Sequence, residues 1–486
     1  MIGISFNKRE FEYDAYTLLK AFYPKAEIEM FCTEEEHEEK EYEMLVSIVY
    51  GEQVSIRLLT GEHSLQECAP FHEQEDRKLR KNKLKQVLYR LLVQETGRTL
   101  PWGNLTGIRP TKIAMGLIES GMSNAQAADY MRKTYFTSNE KTALSITIAN
   151  RERDLLKNID YQNGYSLYVG IPFCPSICLY CSFSSSPLER WRDRVDEYLD
   201  ALLKELDFIS EAMKNKTLDT IYIGGGTPTT LEPEQLRRLL KHIQEKFPVD
   251  QTKEYTIEAG RPDSITREKL LAIREFPVTR ISVNPQTMNQ STLDLIGRKH
   301  TVEDTRHAFA LARECGFNNI NMDLIVGLPG EHIEDVRHTL SEVKKLDPDS
   351  LTVHSLAVKR AARLNIFRDQ YKEMEFENNQ EIMDLAMKYA YECQMGPYYL
   401  YRQKNMCGNL ENIGYAKVDK AGIYNILIME EKQSIIAAGA GASTKYVFQN
   451  GERIERTENV KDVASYIARI DEMIERKRVG IETWLK

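Results

Sequence analysis

Three cysteines, Cys174, Cys178 and Cys181, fall in the run SLYVGIPFCPSICLYCSFSSSP. Their C-x3-C-x2-C spacing offers three thiolates from one tight loop, one fewer than a closed four-cysteine iron–sulfur or zinc site takes. A [4Fe–4S] cube held by three cysteines keeps one iron without a protein ligand. An open position is where a metal does chemistry, as in catalytic as opposed to structural zinc. No second Cys or His pair stands at a spacing that would complete a zinc site. A zinc ion borrowing a distant fourth ligand stays open as the alternative.

The cysteines follow a short β-branched run, and five similar runs come after it. The strands expected are 166–171, 220–225, 254–259, 279–284, 319–326 and 350–356. Amphipathic stretches such as PEQLRRLLKHIQEKF and IEDVRHTLSEVKKL separate them. Strands alternating with helices of this length indicate βαβ units and a parallel sheet. Six units predict a partial (β/α)6 barrel of the TIM type, whose chemistry collects at the C-terminal strand ends. Polar residues occur there in series: the GGGTPT run Gly224–Thr229, Glu258, Gln286, Arg298 in IGRKHT, Asp323, and Ser355 to Ala357. The set suits an amino acid joined to a nucleoside. Arg298 would hold a carboxylate bidentately, Asp323 and Gln286 would meet ribose hydroxyls, and the glycine edge would take an ammonium. The plainer reading pairs Glu258 and Asp323 with barrel arginines and leaves Arg298 as a helix cap.

The whole chain of 486 residues is long enough for two or three domains. Residues 1–155 are expected to form an α+β and helical region, with EYEMLVSIVY and EQVSIRLLT as a hairpin around Gly51. Residues 160–360 form the barrel, and 361–486 a C-terminal α+β domain over its mouth, with PYYLYRQK and YNILIMEE as strands. There is no apolar run of eighteen residues and no basic-then-apolar start, so neither a membrane span nor a signal peptide is expected. The cysteines outside the triplet, Cys32, Cys68, Cys315, Cys393 and Cys407, are scattered singly and read as reduced core residues of a cytoplasmic protein. A net charge of −8 argues against a general nucleic-acid binder.

The combination of YxxIPFCxxxCxxC from Tyr168, GGGTP, IGRKHT and MDLIVGLPGE resembles the radical S-adenosylmethionine superfamily. Within it, residues 165–360 resemble the oxygen-independent coproporphyrinogen III oxidases, or dehydrogenases. The stretch PYYLYRQKNMCGNLENIGYA and the added N-terminal region resemble the longer oxidase-like subgroup of Gram-positive bacteria. The resemblance implies that Cys174, Cys178 and Cys181 ligate a [4Fe–4S] cluster. It implies that Tyr168, Tyr180, Gly225, Gly226, Thr227, Glu258, Gln286, Arg298, Asp323 and Ala357 contact S-adenosylmethionine. The implied chemistry is reductive cleavage to a 5′-deoxyadenosyl radical, which takes a hydrogen from a propionate so that carbon dioxide leaves and a vinyl group remains. It also implies a low-potential electron donor such as flavodoxin or ferredoxin.

A tetrapyrrole with four carboxylates calls for cations, and the candidates are Lys359, Arg360, Arg363, Arg402, Lys404, Arg109 and Lys112. Tyr398, Tyr399 and Tyr401 could pack on its plane, or form ordinary core. Two positions depart from the best-known oxidases: Phe183 stands where they carry a further cysteine, and Gly170 where they carry a histidine. Phenylalanine there is shared with haem-chaperone relatives. Three readings follow: a coproporphyrinogen III dehydrogenase, a haem-binding or haem-processing relative, and an RNA-modifying radical enzyme. The last needs a basic stripe, for which KLRKNKLKQVLYR is the candidate.

Overall fold

Alternating apolar positions in the hairpin at 41–60 and a β-branched start to the chain produce the first sheet. The computed structural model describes all residues except 35–39, 108, 184, 358, 360–361, 367–374 and 404–409, and the backbone alone at Asn450. It divides into two units, Met1–Asn150 and Arg151–Lys486. In the first, β1 (Ile2–Phe6), β2 (Ile28–Cys32), β3 (Met44–Tyr50), β4 (Gln53–Thr60) and β5 (His63–Pro70) take the order β2-β1-β3-β4-β5. The expected hairpin is β3–β4, with Tyr50 opposite Val54 and Gly51 in the turn. The helix Arg77–Thr96 starts where the Asp76 carboxylate accepts from the Lys78 and Leu79 amides, and stops at Gly97 with φ 65°. Its Leu84, Val87, Leu88, Leu91 and Leu92 join the same apolar cluster as Ile4, Val46 and Ile56. KLRKNKLKQVLYR thus lies on an amphipathic helix whose apolar face forms core.

In the second unit, β6 (Gly164–Ile171) leads into the cysteine loop, which is bracketed by the two-residue strands β7 (Phe173–Cys174) and β8 (Ser186–Pro187). The parallel strands then follow in chain order: β9 (Thr217–Gly225), β10 (Glu254–Glu258), β11 (Arg280–Ser282), β12 (Ile320–Val326) and β13 (Ser350–Ser355). These six match the six strands expected, and every consecutive pair is parallel. The helices between them carry local start signals. Thr301 and Asp304 form a capping box, and the Thr266 hydroxyl accepts from the Lys269 amide. Ile221, Ile223, Tyr255, Ile257, Ile281, Met322 and Val353 share one face of the sheet and are buried, while Tyr222, Glu258, Arg280 and Asp323 stand on the other.

The segment after 360 contributes to the same sheet. β14 (Gly396–Tyr401) and β15 (Asn412–Ala416) extend it beyond β13. β16 (Ser434–Ala438), β17 (Ser443–Phe448) and β18 (Arg453–Glu458) extend it beyond β6. The full order is β14-β15-β13-β12-β11-β10-β9-β6-β16-β17-β18. The boundary expected at 360/361 therefore does not divide the sheet. β16 runs parallel to β6 and makes a seventh parallel strand, from the small-residue run SIIAA. YNILIMEE, expected as a strand, is the helix Ile423–Glu430. Burial of Tyr424, Ile426 and Leu427 on one side outweighs the strand preference of its isoleucines. No helix among the described residues is long and apolar enough to cross a membrane.

Candidate cofactor site at the strand ends

The cysteine loop is pinned to the glycine run by main chain. The Gly226 amide donates to the Ile171 carbonyl at 2.7 Å, and the Thr227 amide to the Phe173 carbonyl at 2.7 Å. A Cβ on residue 226 would stand 2.5 Å from the Phe173 carbonyl oxygen, so only glycine permits this approach. Buried Thr227 brings its hydroxyl 3.7 Å from Cys174 Sγ. The bonds from the Gly226 and Thr227 amides use N–H donors of the run to hold the cysteine strand, whereas an ammonium, which only donates, would call on the run's carbonyl oxygens. Gly225, with φ 113°, still faces the cavity described below.

Burial pushes the thiol of Cys174 above its ordinary range and that of Cys181 up to about 11, and the neighbouring thiols add to both shifts. Such thiols ionise readily only beside a metal, which deprotonates a coordinating thiol outright. Among the described residues no three His, Cys, Asp or Glu side chains crowd round a point as a single ion needs. A cube instead takes one thiolate at each of three separate irons, so its ligands stand farther apart. The three-thiol donor set fits that group.

Arg298 behaves differently from expectation. Its Nε donates to His300 Nε2 at 2.9 Å, Nη1 to the Tyr180 hydroxyl at 3.1 Å, and Nη2 to the Gly260 and Asn284 carbonyls at 2.9 and 2.8 Å. Four of the five N–H groups are engaged, which leaves no pair for a bidentate grip on a carboxylate. The guanidinium, 3% exposed, positions Tyr180 one residue before Cys181. Burial, then the Arg298 charge, hold His300 down at about 4, so its ring stays neutral and accepts at Nε2.

The next strand ends carry the polar face. Glu258 accepts from the Tyr222 hydroxyl, and its carboxylate approaches residue 224 so closely that a Cβ there would lie 3.0 Å away. Burial raises Glu258 to about 7, with the Asp323 charge adding to it and the Tyr222 hydrogen bond opposing. Asp323 is half-buried, and desolvation works to raise it, but His354 at 3.9 Å, the Asn321 amide at 2.7 Å and the Arg280 charge bring it below its ordinary range. Gln286 sits at φ 67°, a region costly for a residue with a side chain. Its backbone holds it there by bonds to the Asp323 carbonyl and from the Ile325 amide, both 2.9 Å. Its Oε1 is buried without a partner among the described residues, the mark of a group waiting for a ligand donor. Ala357 lies just past β13, beyond Ser355. Tyr168, on β6, stacks on Tyr222, which stacks on Tyr424.

A cavity of about 180 Å³ opens beside the cysteine loop, lined by Tyr168, Gly170, Ser182, Phe183, Gly225 and the stretch Ala440–Ala442. Its far wall is fixed from within. Glu205 accepts from the Gly439 amide at 2.9 Å, the Asn459 amide at 2.8 Å and the Tyr466 hydroxyl at 2.6 Å. Lys477 lies 2.9 Å from the same carboxylate, and both side chains are 0% exposed. The Tyr198 hydroxyl donates to the Gly170 carbonyl and accepts from the Ala440 amide, tying this wall to β6.

A model of the radical SAM superfamily matches residues 168–343. The chain is 43% identical over 409 residues to the oxygen-independent coproporphyrinogen-III oxidase-like protein HemZ of Bacillus subtilis, covering 83% of this chain and 82% of that one. The chain belongs to the radical S-adenosylmethionine superfamily, among the coproporphyrinogen-III oxidase-like proteins. Over 194 residues it is 40% identical to the heme chaperone HemW of the same organism, covering 40% of this chain and 50% of the relative. Over 195 residues it is 36% identical to the oxygen-independent coproporphyrinogen III oxidase of Escherichia coli, covering 40% and 42%. The solved structure of the E. coli coproporphyrinogen III oxidase HemN superposes with a TM-score of 0.52 at 24% identity, over 66% of this chain and 73% of that one, and shares the fold. As in its superfamily, the cofactors are a [4Fe–4S] cluster and S-adenosylmethionine.

Of the expected site residues, Gly225, Gly226, Thr227, Glu258 and Gln286 stand at or just past the C-terminal ends of the parallel strands, Tyr168 and Asp323 lie within β6 and β12, and Tyr180 and Arg298 stand beside the cysteines. Sequence reasoning missed His354, Arg261 and Tyr222. His354 alternates with Val353 and Ser355 on β13, and its imidazole lies 3.4 Å from the Tyr401 hydroxyl. Strand alternation alone would have pointed His354 and Asp323 into one space. Of the candidate substrate cations, Lys359 and Arg363 are exposed, Arg402 is buried, and Arg109 and Lys112 lie in the first unit. Arg360 and Lys404 lie outside the described residues. Tyr398 and Tyr399 are core, and so not a surface for a macrocycle. Cys68 is exposed rather than core, and Cys407 lies outside the described residues.

Proposed function

We propose that the chain is a radical S-adenosylmethionine oxidoreductase that decarboxylates propionate side chains of coproporphyrinogen III to vinyl groups. One observation carries the substrate class. Beside the cysteine loop the cavity is rimmed by Phe183, 72% exposed, with the Lys359 ammonium 6.0 Å above its ring. An exposed aromatic ring with a cation beside it suits an apolar macrocycle edged with carboxylates. A cavity of this size admits one edge of such a ring, not the whole.

In this reading, Cys174, Cys178 and Cys181 hold the cluster. Glu258, Gln286 and Asp323 orient S-adenosylmethionine, with the orphaned Gln286 oxygen accepting from one of its N–H or O–H groups. Together the bound cofactors supply a radical able to take hydrogen from an unactivated carbon. The Gly439–Ala442 wall and Phe183 exclude water and fix the propionate near the site. The setting is cytoplasmic, where flavodoxin- or ferredoxin-like donors supply electrons. The second reading, haem binding without decarboxylation, is favoured by Gly170 and Phe183 and by the likeness to a heme chaperone. Anaerobic incubation with reductant, S-adenosylmethionine and coproporphyrinogen III decides by mass spectrometry. Protoporphyrinogen IX is expected. Cofactor cleavage with no loss of carbon dioxide, accompanied by stoichiometric haem binding, would overturn the first reading for the second.

A further inference from the structure

Arg261 takes no part in the polar face and yet is among the most constrained side chains near the cysteines. It follows β10 three residues after Glu258 and is 4% exposed. Asp263 receives its Nε at 2.9 Å and its Nη2 at 2.7 Å, a two-pronged grip that fixes the guanidinium plane. Ser176, inside the cysteine loop, receives Nη2 on its hydroxyl at 3.1 Å and Nη1 on its carbonyl at 3.2 Å. The same Nη1 lies 3.6 Å from Cys178 Sγ. A buried positive charge is therefore aimed at one ligand sulfur by four contacts that leave it no other orientation.

Reduction of the cluster adds one electron from a low-potential one-electron donor, with no bond made or broken in the protein. The added negative charge sits partly on the sulfurs. Hydrogen bonds to those sulfurs and net charge nearby are the means by which proteins set such potentials. We propose that Arg261 is a positioning residue that raises the reduction potential of the cluster through Cys178, with Asp263 as the opposing charge that limits the rise. The inference rests on the cluster alone and is independent of the substrate.

The test is a redox titration of the anaerobically reconstituted full chain, followed by electron paramagnetic resonance, with iron content measured in parallel. Arg261→Gln removes the charge and the sulfur contact. The reduced-to-oxidised ratio at a fixed potential should fall tenfold or more, a 59 mV shift for a one-electron couple. Arg261→Lys keeps the charge without the fork and should fall by less. Asp263→Asn should move the ratio the opposite way, severalfold upward. A residue that only braced the loop would lower iron content without moving the potential. Shifts of one sign in Arg261→Gln and Asp263→Asn, or no shift in either, would overturn the proposal. If Arg261→Gln fails to retain the cluster, Asp263→Asn decides alone: an upward shift supports the assignment, and none or a downward one refutes it.

Discussion

The two sides of the barrel mouth are built on opposite principles. Around the cysteines, at the ends of β6 and β9, polar groups answer one another: Gly226 and Thr227 bond to the cysteine strand, Arg298 has four donors engaged, and Arg261 is held by Asp263 and Ser176. Across the mouth, at β10 to β13, the groups are held more loosely. Gln286 Oε1 has no partner among the described residues, and His354 stands 3.9 Å from Asp323 and 3.4 Å from Tyr401. A cluster must be held in one geometry, whereas a diffusing cofactor must find groups with bonding capacity to spare. In the proposed reading the first side is a fixture and the second a receptor.

The sharpest way to break this distinction is to remove a fixture. Cys178→Ala should abolish the cluster altogether, read as loss of bound iron and sulfide, with no residual cube. Next in size is Lys477→Ala, which leaves Glu205 charged and unpaired behind the cavity wall. Breaking a buried pair in this way costs about 3–5 kcal/mol, visible as a large fall in Tm. On the receptor side, Asp323→Asn and Gln286→Ala should leave iron content intact. They should weaken S-adenosylmethionine binding by about 1.5–3 kcal/mol, the scale of a hydrogen bond to a charged group, measured by calorimetry on the reduced chain. If either of them lost the cluster, the division between fixture and receptor would fail.

The smallest effect concerns pH. Glu258 has its carboxyl raised from the ordinary 4.5 to about 7. The folded state thus binds the proton more tightly than the unfolded one. Its contribution to stability is complete below about pH 4.5 and is lost as pH rises through 7. Ligand binding should run the other way. The sulfonium and ammonium of S-adenosylmethionine prefer the ionised carboxylate, so affinity should tighten by up to about tenfold from pH 6 to 8. Glu258→Gln should flatten that profile.

The places of the groups proposed to receive S-adenosylmethionine were legible in the sequence because each lies on a parallel strand or just past it. β-branched runs place the strands, and Glu258, Gln286 and Asp323 follow from their positions on them. The fixtures were less legible because their partners are remote in the chain. Cys178 meets Arg261 across 83 residues, and Glu205 meets Tyr466 across 261. Spacing located the three thiols but not the arginine behind them. The bidentate use expected of Arg298 failed because Gly260, Asn284 and His300 already take its donors. β16 was hidden because a short alanine-rich run carries little strand signal, and its place beside β6 is set by tertiary pairing.

A three-cysteine cube would leave one iron for S-adenosylmethionine. The direct measurement is the electron paramagnetic resonance spectrum of the anaerobically reconstituted, reduced chain before and after that cofactor is added. A [4Fe–4S]+ signal whose g-values move on addition is the predicted result. A signal that the cofactor leaves unchanged, or the absence of any cubane signal, would contradict it.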